Sequence, residues 1–170
     1  MERSPKYLLT LFLIVLLFLP SILRATFNYD YGDDEYVTVS EGISPDGKFA
    51  ITTHGEGEYG YDHFHVYLFD AVTGRKIGPL EEIAESLDTG AGAFGALWSR
   101  DSRKVTIVYR VDRHAPLKAM TYKIGLRRAY PMTKAPVDLS YDSKIADFWS
   151  AHCSDSKPPI KVFGTPRKSD

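Results

Sequence analysis

Ser44-Pro45-Asp46-Gly47-Lys48 returns in looser form as Ser99-Arg100-Asp101-Ser102-Arg103, so that Ser44 and Ser99, and Asp46 and Asp101, stand 55 residues apart. The first copy is a turn with a mechanism. Pro presets φ at the second position, Asp bonds back to the main chain, and Gly accepts positive φ. Val37 and Val39 precede it and Phe49 to Thr53 follow it, which gives a strand, a turn and a strand. Phe64 to Phe69 then alternates, with Phe64, Val66 and Leu68 on one face and His65, Tyr67 and Phe69 on the other. Asp70-Ala71-Val72-Thr73-Gly74 makes the next turn, and Arg75 to Ile77 returns as a fourth, edge strand.

The second half repeats this grammar, with strands at Ala93 to Trp98, Lys104 to Val111 and, after a turn around Pro116, Leu117 to Ile124. Tyr67 and Tyr122 are again 55 residues apart. The spacing predicts two related antiparallel meanders, at residues 37–78 and 93–132. Between them, Leu80, Ile83, Ala84 and Leu87 fall at helical spacing with Glu81, Glu82 and Glu85 facing away. Near the C-terminus, Asp142 can cap a helix over about 142–152 that carries Ile145, Phe148 and Trp149. The expected class is therefore mainly β: two antiparallel, blade-like meanders packed with one or two short helices. Length supports one β-rich domain over 37–154, with a linker at 26–36 and an extended, partly mobile tail at 155–170. The 11 Tyr and 9 Phe among the 170 residues favour the same class, because aromatic side chains suit a pleated, half-buried surface.

The turn Ser44 to Lys48, together with Tyr67 to Gly74, resembles a blade of the WD40-like, TolB-type β-propeller family. Units of that family carry an S-P-D-G-K-type turn and end on an aromatic strand followed by Asp and Thr-Gly. In the second unit Ser102 stands in place of Gly, and the Asp/Thr-Gly ending is lost at Gly125-Leu126-Arg127. The resemblance spans about residues 37–132 and implies a fold rather than an activity, since the family holds scaffolds, binding proteins and enzymes. Typical rings have 4–8 blades. Two blades imply either a ring shared between chains, hence a homo-oligomer, or two sheets packed in another way.

The N-terminus reads as an export signal. Arg3 and Lys6 precede an apolar run from Tyr7 to Leu19 broken only by Thr10, and Pro20 and Ala25 follow. Its length suits both a cleaved signal peptide and a short signal anchor over 1–25, and either places residues 26–170 outside the cytoplasm. The apolar segment is expected to be helical. Removing residues 1–25 leaves 18 basic against 21 acidic residues, about −3, scattered among one another. Such a balance argues against nucleic-acid binding through phosphates. The one cysteine, Cys153, has no intramolecular partner, so the fold rests on its core.

Several motifs invite chemistry and lose it on context. Asn28, Asp30 and Gly32 lack the late Glu of a calcium loop. Asp88-Thr89-Gly90 matches the short aspartic-protease signature, but one copy follows a helical pattern rather than an apolar strand. Gly90 to Gly95 fits G-x-G-x-x-G, yet the order is helix then strand, the reverse of a pyrophosphate cradle. His54, His63 and His65 gather around one hairpin with Glu56 and Glu58, a set that invites zinc without supplying a third rigid element. No Ser, His and acid set has the context of a nucleophile elbow. The sequence thus predicts no catalytic residue, no metal and no cofactor.

What remains is recognition. Tyr59, Tyr61, His63 and His65 are the expected binding residues, because tyrosine offers apolar area with a polar handle. The reading is a non-catalytic exported envelope protein, periplasmic, secreted or N-terminally anchored, that contacts a protein or glycan partner. It touches the membrane through residues 1–25 if they are retained. The competing reading is a periplasmic metal-dependent enzyme that uses His54, His63 and His65.

Overall fold

The computed structural model describes residues 31–56, 62–83, 91–111, 115–139, 143–153 and 161–164. The N-terminal apolar segment, Asp88-Thr89-Gly90, and Tyr59 and Tyr61 lie outside the described residues. The elements in chain order are β1 (Tyr36–Ile43), β2 (Phe49–Glu56), β3 (Asp62–Asp70), β4 (Arg75–Pro79), a single 3-10 turn (Ala91–Ala93), β5 (Phe94–Trp98), β6 (Lys104–Tyr109), β7 (Leu117–Ile124), β8 (Ala129–Pro131), β9 (Val137–Leu139), α1 (Ser143–His152) and β10 (Val162–Phe163). The described structure is mainly β.

The strands form one nearly closed sheet in the order β4-β3-β2-β1-β5-β6-β7-β8, with β9 also on β7 and β10 also on β1. It comprises two four-stranded antiparallel meanders joined at a parallel contact between β1 and β5, where Ser40 faces Gly95. The halves are therefore one continuous sheet, curled so that a single core fills its inside, rather than two separate stacked sheets. That core takes Val37, Val39, Ile51, Val66 and Leu68 from the first meander and Phe94, Val105, Ile107, Met120 and Tyr122 from the second. Aromatic rings link the halves: Phe64 stacks on Phe94 at 5.6 Å, and Phe94 on Tyr109 at 5.3 Å.

The two repeated turns match bond for bond. Ser44 N–H donates to Phe49 O and Ser99 N–H to Lys104 O, each at 2.9 Å. The Ser44 hydroxyl donates to Asp46 Oδ1 at 2.7 Å and that of Ser99 to Asp101 Oδ1 at 2.6 Å. The Phe49 and Lys104 amides donate to the Ser44 and Ser99 hydroxyls, both at 2.9 Å. Gly47 has φ 71° and Ser102 φ 57°. Ser102 accepts this left-handed conformation because its hydroxyl has a use: it takes a hydrogen bond from Asp46 N–H at 3.1 Å and ties one turn to the other.

The 55-residue register slips in the third strand. Ala71 N–H donates to Lys48 O, and Ile124 N–H to Arg103 O, both at 2.8 Å, so Ala71 corresponds to Ile124. Phe69 lies opposite Ala50 and Tyr122 opposite Val105, whereas Tyr67 lies opposite Thr52. Tyr122 thus corresponds to Phe69, and the Tyr67–Tyr122 alignment is two residues out. The chain from Arg103 to Ile124 is two residues shorter than that from Lys48 to Ala71, and the strand pairing absorbs the difference.

Parallel β1 and β5 relate the meanders by a rotation about the strand direction, which turns the second one over. Tyr67 and Phe69 accordingly face out, while Tyr122 faces in. On the outer face of the second meander, α1 covers the part around β5. A Cβ on Gly95 would meet Cys153 Sγ at 2.5 Å and the Phe148 ring at 2.7 Å, so only glycine admits this close approach. Arg110 lies 4.3 Å over the Trp149 ring, and Ser40 hydroxyl donates to His152 O.

One expected segment differs. Pro79 to Ile83 ends β4 and makes a turn rather than opening a helix, because Leu80 N–H continues the strand ladder to Val66 O and Ile83 N–H closes on Leu80 O. Leu80 and Ile83 still enter the core, and Ala84 to Leu87 lie outside the described residues. Glu82 of this turn and burial together raise the Tyr122 hydroxyl pKa, burial being the larger cause. In the tail, Val162 and Phe163 pair with Val37 and Tyr36, and the Lys161 amide and carbonyl clasp the Thr38 hydroxyl at 2.9 and 2.8 Å.

Candidate functional site

The outer face of the first meander carries a cluster of phenol, imidazole and ammonium side chains. Strand alternation brings Tyr36 of β1, His54 of β2 and His65 and Tyr67 of β3 to one side, and β4 sends Lys76 across them. His54 and His65 stand directly opposite each other. The rings of Tyr36 and His54 lie 4.7 Å apart, Tyr36 and Tyr67 meet edge to face at 5.3 Å, and His65 meets Tyr67 edge to face at 6.0 Å.

Lys76 closes the cluster. Its Nζ donates to the Tyr36 hydroxyl at 2.8 Å and sits 5.0 Å from the Tyr36 ring centroid and 5.1 Å from that of Tyr67. The hydrogen bond to Tyr36 raises the Lys76 pKa. Burial raises that of Tyr67, with the Lys76 charge pulling the other way. Both groups therefore keep their protons at neutral pH: Lys76 is a cation held between two aromatic faces, and Tyr67 is a neutral phenol. The arrangement suits hydrogen bonding and stacking rather than proton abstraction.

His54 and His65, the two histidines described on this sheet, behave differently. His54 is buried; its Nδ1 lies 2.7 Å from Glu35 O, and the Tyr31 ring stands 5.7 Å from its own. It fastens the entering chain, where Glu35 in turn accepts from Gly32 N–H at 2.9 Å. His65 is half-buried, and its Nδ1 has no hydrogen-bond partner among the described residues.

Of the expected binding residues, the structure puts His65 in this cluster, and His63 lies two residues along the same strand, although its side chain is outside the described residues. Tyr59 and Tyr61 are in the segment 57–61 that connects β2 to β3 and lies outside them. Among the described residues no three of His, Cys, Asp and Glu converge as metal ligands. Sequence reasoning missed Tyr36 and Lys76, which reach the site from other strands. The one available signal was the alternation His65, Tyr67, Phe69, which marks an outer face too aromatic to be left bare.

Compared with known proteins, the chain matches no family model, no curated protein and no solved structure.

Proposed function

We propose that this chain is an exported, non-catalytic envelope protein that binds a protein or glycan partner through the outer face of its first meander. The observation that carries the reading is the cluster of Tyr36, Tyr67, His65 and the exposed Lys76 that reaches both tyrosine rings. It offers rigid aromatic area with polar edges and no activated nucleophile, which is the chemistry of recognition. Tyr59, Tyr61 and His63 precede His65 in the chain and complete the proposed set of binding residues. Export is supported by the basic start and apolar run of residues 3–19.

The two meanders, each with a turn of the same bonding pattern, support kinship with WD40-like, TolB-type propeller blades. A reporter fused after Asp170 tests export and should be active only outside the cytoplasm. A photo-crosslinker placed at Tyr67 tests recognition: it should capture a defined envelope protein or glycan, with the capture lost in His65→Ala. Stoichiometric zinc in protein purified without chelators, lost in a His63→Ala and His65→Ala double variant, would instead establish the metal-enzyme reading.

A further inference from the structure

Charge is distributed unevenly between the two meanders. Residues 31–90 contain 13 acidic residues and three basic ones, while residues 91–139 contain ten basic and three acidic. Much of this excess gathers at one corner. Arg103 ends the turn before β6, Lys104 opens β6 directly opposite Lys123 of β7, and Arg127 and Arg128 form the β7–β8 turn. All five are exposed. Among the described residues, no carboxylate lies within ion-pair distance of any of them.

Two like charges opposite each other on a sheet cost stability, and here nothing described offsets them. The nearest acid in sequence, Asp101, is engaged by the Ser99 hydroxyl and the Arg103 amide. Tyr130, opposite Lys123 and 45% exposed, lies on the same face, with the Arg128 guanidinium 4.4 Å over its ring. Cations around an exposed aromatic plane form a surface for an anionic partner that also stacks.

We propose that this corner binds an anionic glycan, a sulfated or uronate-bearing chain that lays charges on Lys104, Lys123, Arg103 and Arg127 and a sugar face on Tyr130. The cations are spread over a strand pair and two turns rather than drawn into a pocket, which fits a chain and not a small anion. A nucleic-acid duplex carries a charge about every 1.7 Å, a density that the acidic first meander repels; a glycan with spaced charges fits a single corner. The chain enters at the Tyr36 end of β1, and the corner lies at the opposite end of the strands, roughly 26 Å away at about 3.3 Å per residue. The choice of a glycan rests on the exported location proposed above, which the reporter fusion tests separately.

The test uses the full purified chain and immobilised heparin as the probe, with polygalacturonate, neutral dextran and single- and double-stranded DNA in parallel. Expected are binding to both acidic glycans that weakens with added salt, none to dextran, and weaker binding to DNA. Lys123→Glu should lower heparin affinity at least tenfold while leaving the melting temperature equal or higher, because it replaces the repulsion with Lys104 by an attraction. Lys118→Ala, at the opposite end of the β6–β7 pair, should change affinity less than twofold. Absence of heparin binding at low salt, or undiminished binding by Lys123→Glu, overturns the proposal. Tighter binding to DNA overturns it in favour of a nucleic acid, and salt-sensitive self-association abolished by Lys123→Glu overturns it in favour of a second copy.

Discussion

Replacing Gly95 with Ala places a methyl group where β5 and α1 touch. Its carbon would lie 2.5 Å from Cys153 Sγ and 2.7 and 3.3 Å from Phe148 ring atoms, against about 3.5–4.0 Å for an unstrained contact. The helix end must withdraw by about 1 Å, and overpacking of this kind costs about 1–3 kcal/mol. Alanine also narrows the unfolded ensemble, which returns about 0.4–1 kcal/mol. The net expectation is a loss of about 1–2 kcal/mol, read by urea denaturation. Gly78→Ala is the control, since nothing lies within 4 Å of its added carbon, and it should be neutral or slightly stabilising. Cys153 is 4% exposed, so its alkylation reports release of the helix and should be faster in Gly95→Ala. Combining Gly95→Ala with Cys153→Ala removes the tightest contact and should cost less than the sum of the two changes. A Gly95→Ala protein as stable as the parent, or strict additivity with Cys153→Ala, would refute the packing argument.

Three other outcomes are expected. Ser102→Ala keeps the left-handed backbone and loses the bond to Asp46 N–H, so it should destabilise by about 1–2 kcal/mol, whereas Ser102→Gly relieves the backbone and should cost less, both read by urea denaturation. Asp46 and Asp101 have lowered pKa values, chiefly through the Ser44 and Ser99 hydroxyls; their contribution is complete above the ordinary carboxylate range near about 4 and is lost as pH falls through the folded values, so acid titration of Asp46→Asn with Asp101→Asn should show a shallower fall in stability below that range. Gly164→Ala, at φ 81° and with its added carbon driven into the Asp34 carbonyl, should detach β10 and speed hydrogen exchange at Lys161 and Thr38 amides.

The β class and the turns were legible because they depend on local chemistry. A Pro-Asp-Gly turn and a Ser-x-Asp turn bond to themselves, and alternation in Phe64 to Phe69 depends only on the pleat. The segment from Pro79 misled because helical spacing of Leu80 and Ile83 is also produced when a strand end and a following turn both dip into a core. The candidate site was legible on one strand only: His65 stands out by its neighbours, but Tyr36 and Lys76 come from β1 and β4, and nothing local in either sequence points to their meeting. The basic corner escaped for a similar reason, since a count over the whole chain cancels a first half rich in Asp and Glu against a second half rich in Lys and Arg.

The facial inversion explains why the repeat is clear in the turns and faint in the strands. Two meanders joined through a parallel pair must present opposite faces to one core, so each strand position of the first unit that needs an apolar side chain corresponds to an outward position in the second. Ile51, in the core, falls in register with Thr106, whose hydroxyl meets that of Thr121 at 2.9 Å on the outside. Phe69, on the outer face, falls in register with Tyr122 inside. Any common ancestry of the strands is overwritten by burial. The turns lie at the sheet end, where inversion changes little, and they retain the same Ser, Asp and left-handed residue. The inversion also gives the two outer faces different chemistry. On the first meander the outward positions are Tyr36, His65 and Tyr67 beside the exposed Lys76, and on the second they are Lys104, Lys123 and Tyr130. One sheet thereby presents an aromatic outer face and a cationic one, built at positions that a strict repeat would have made alike.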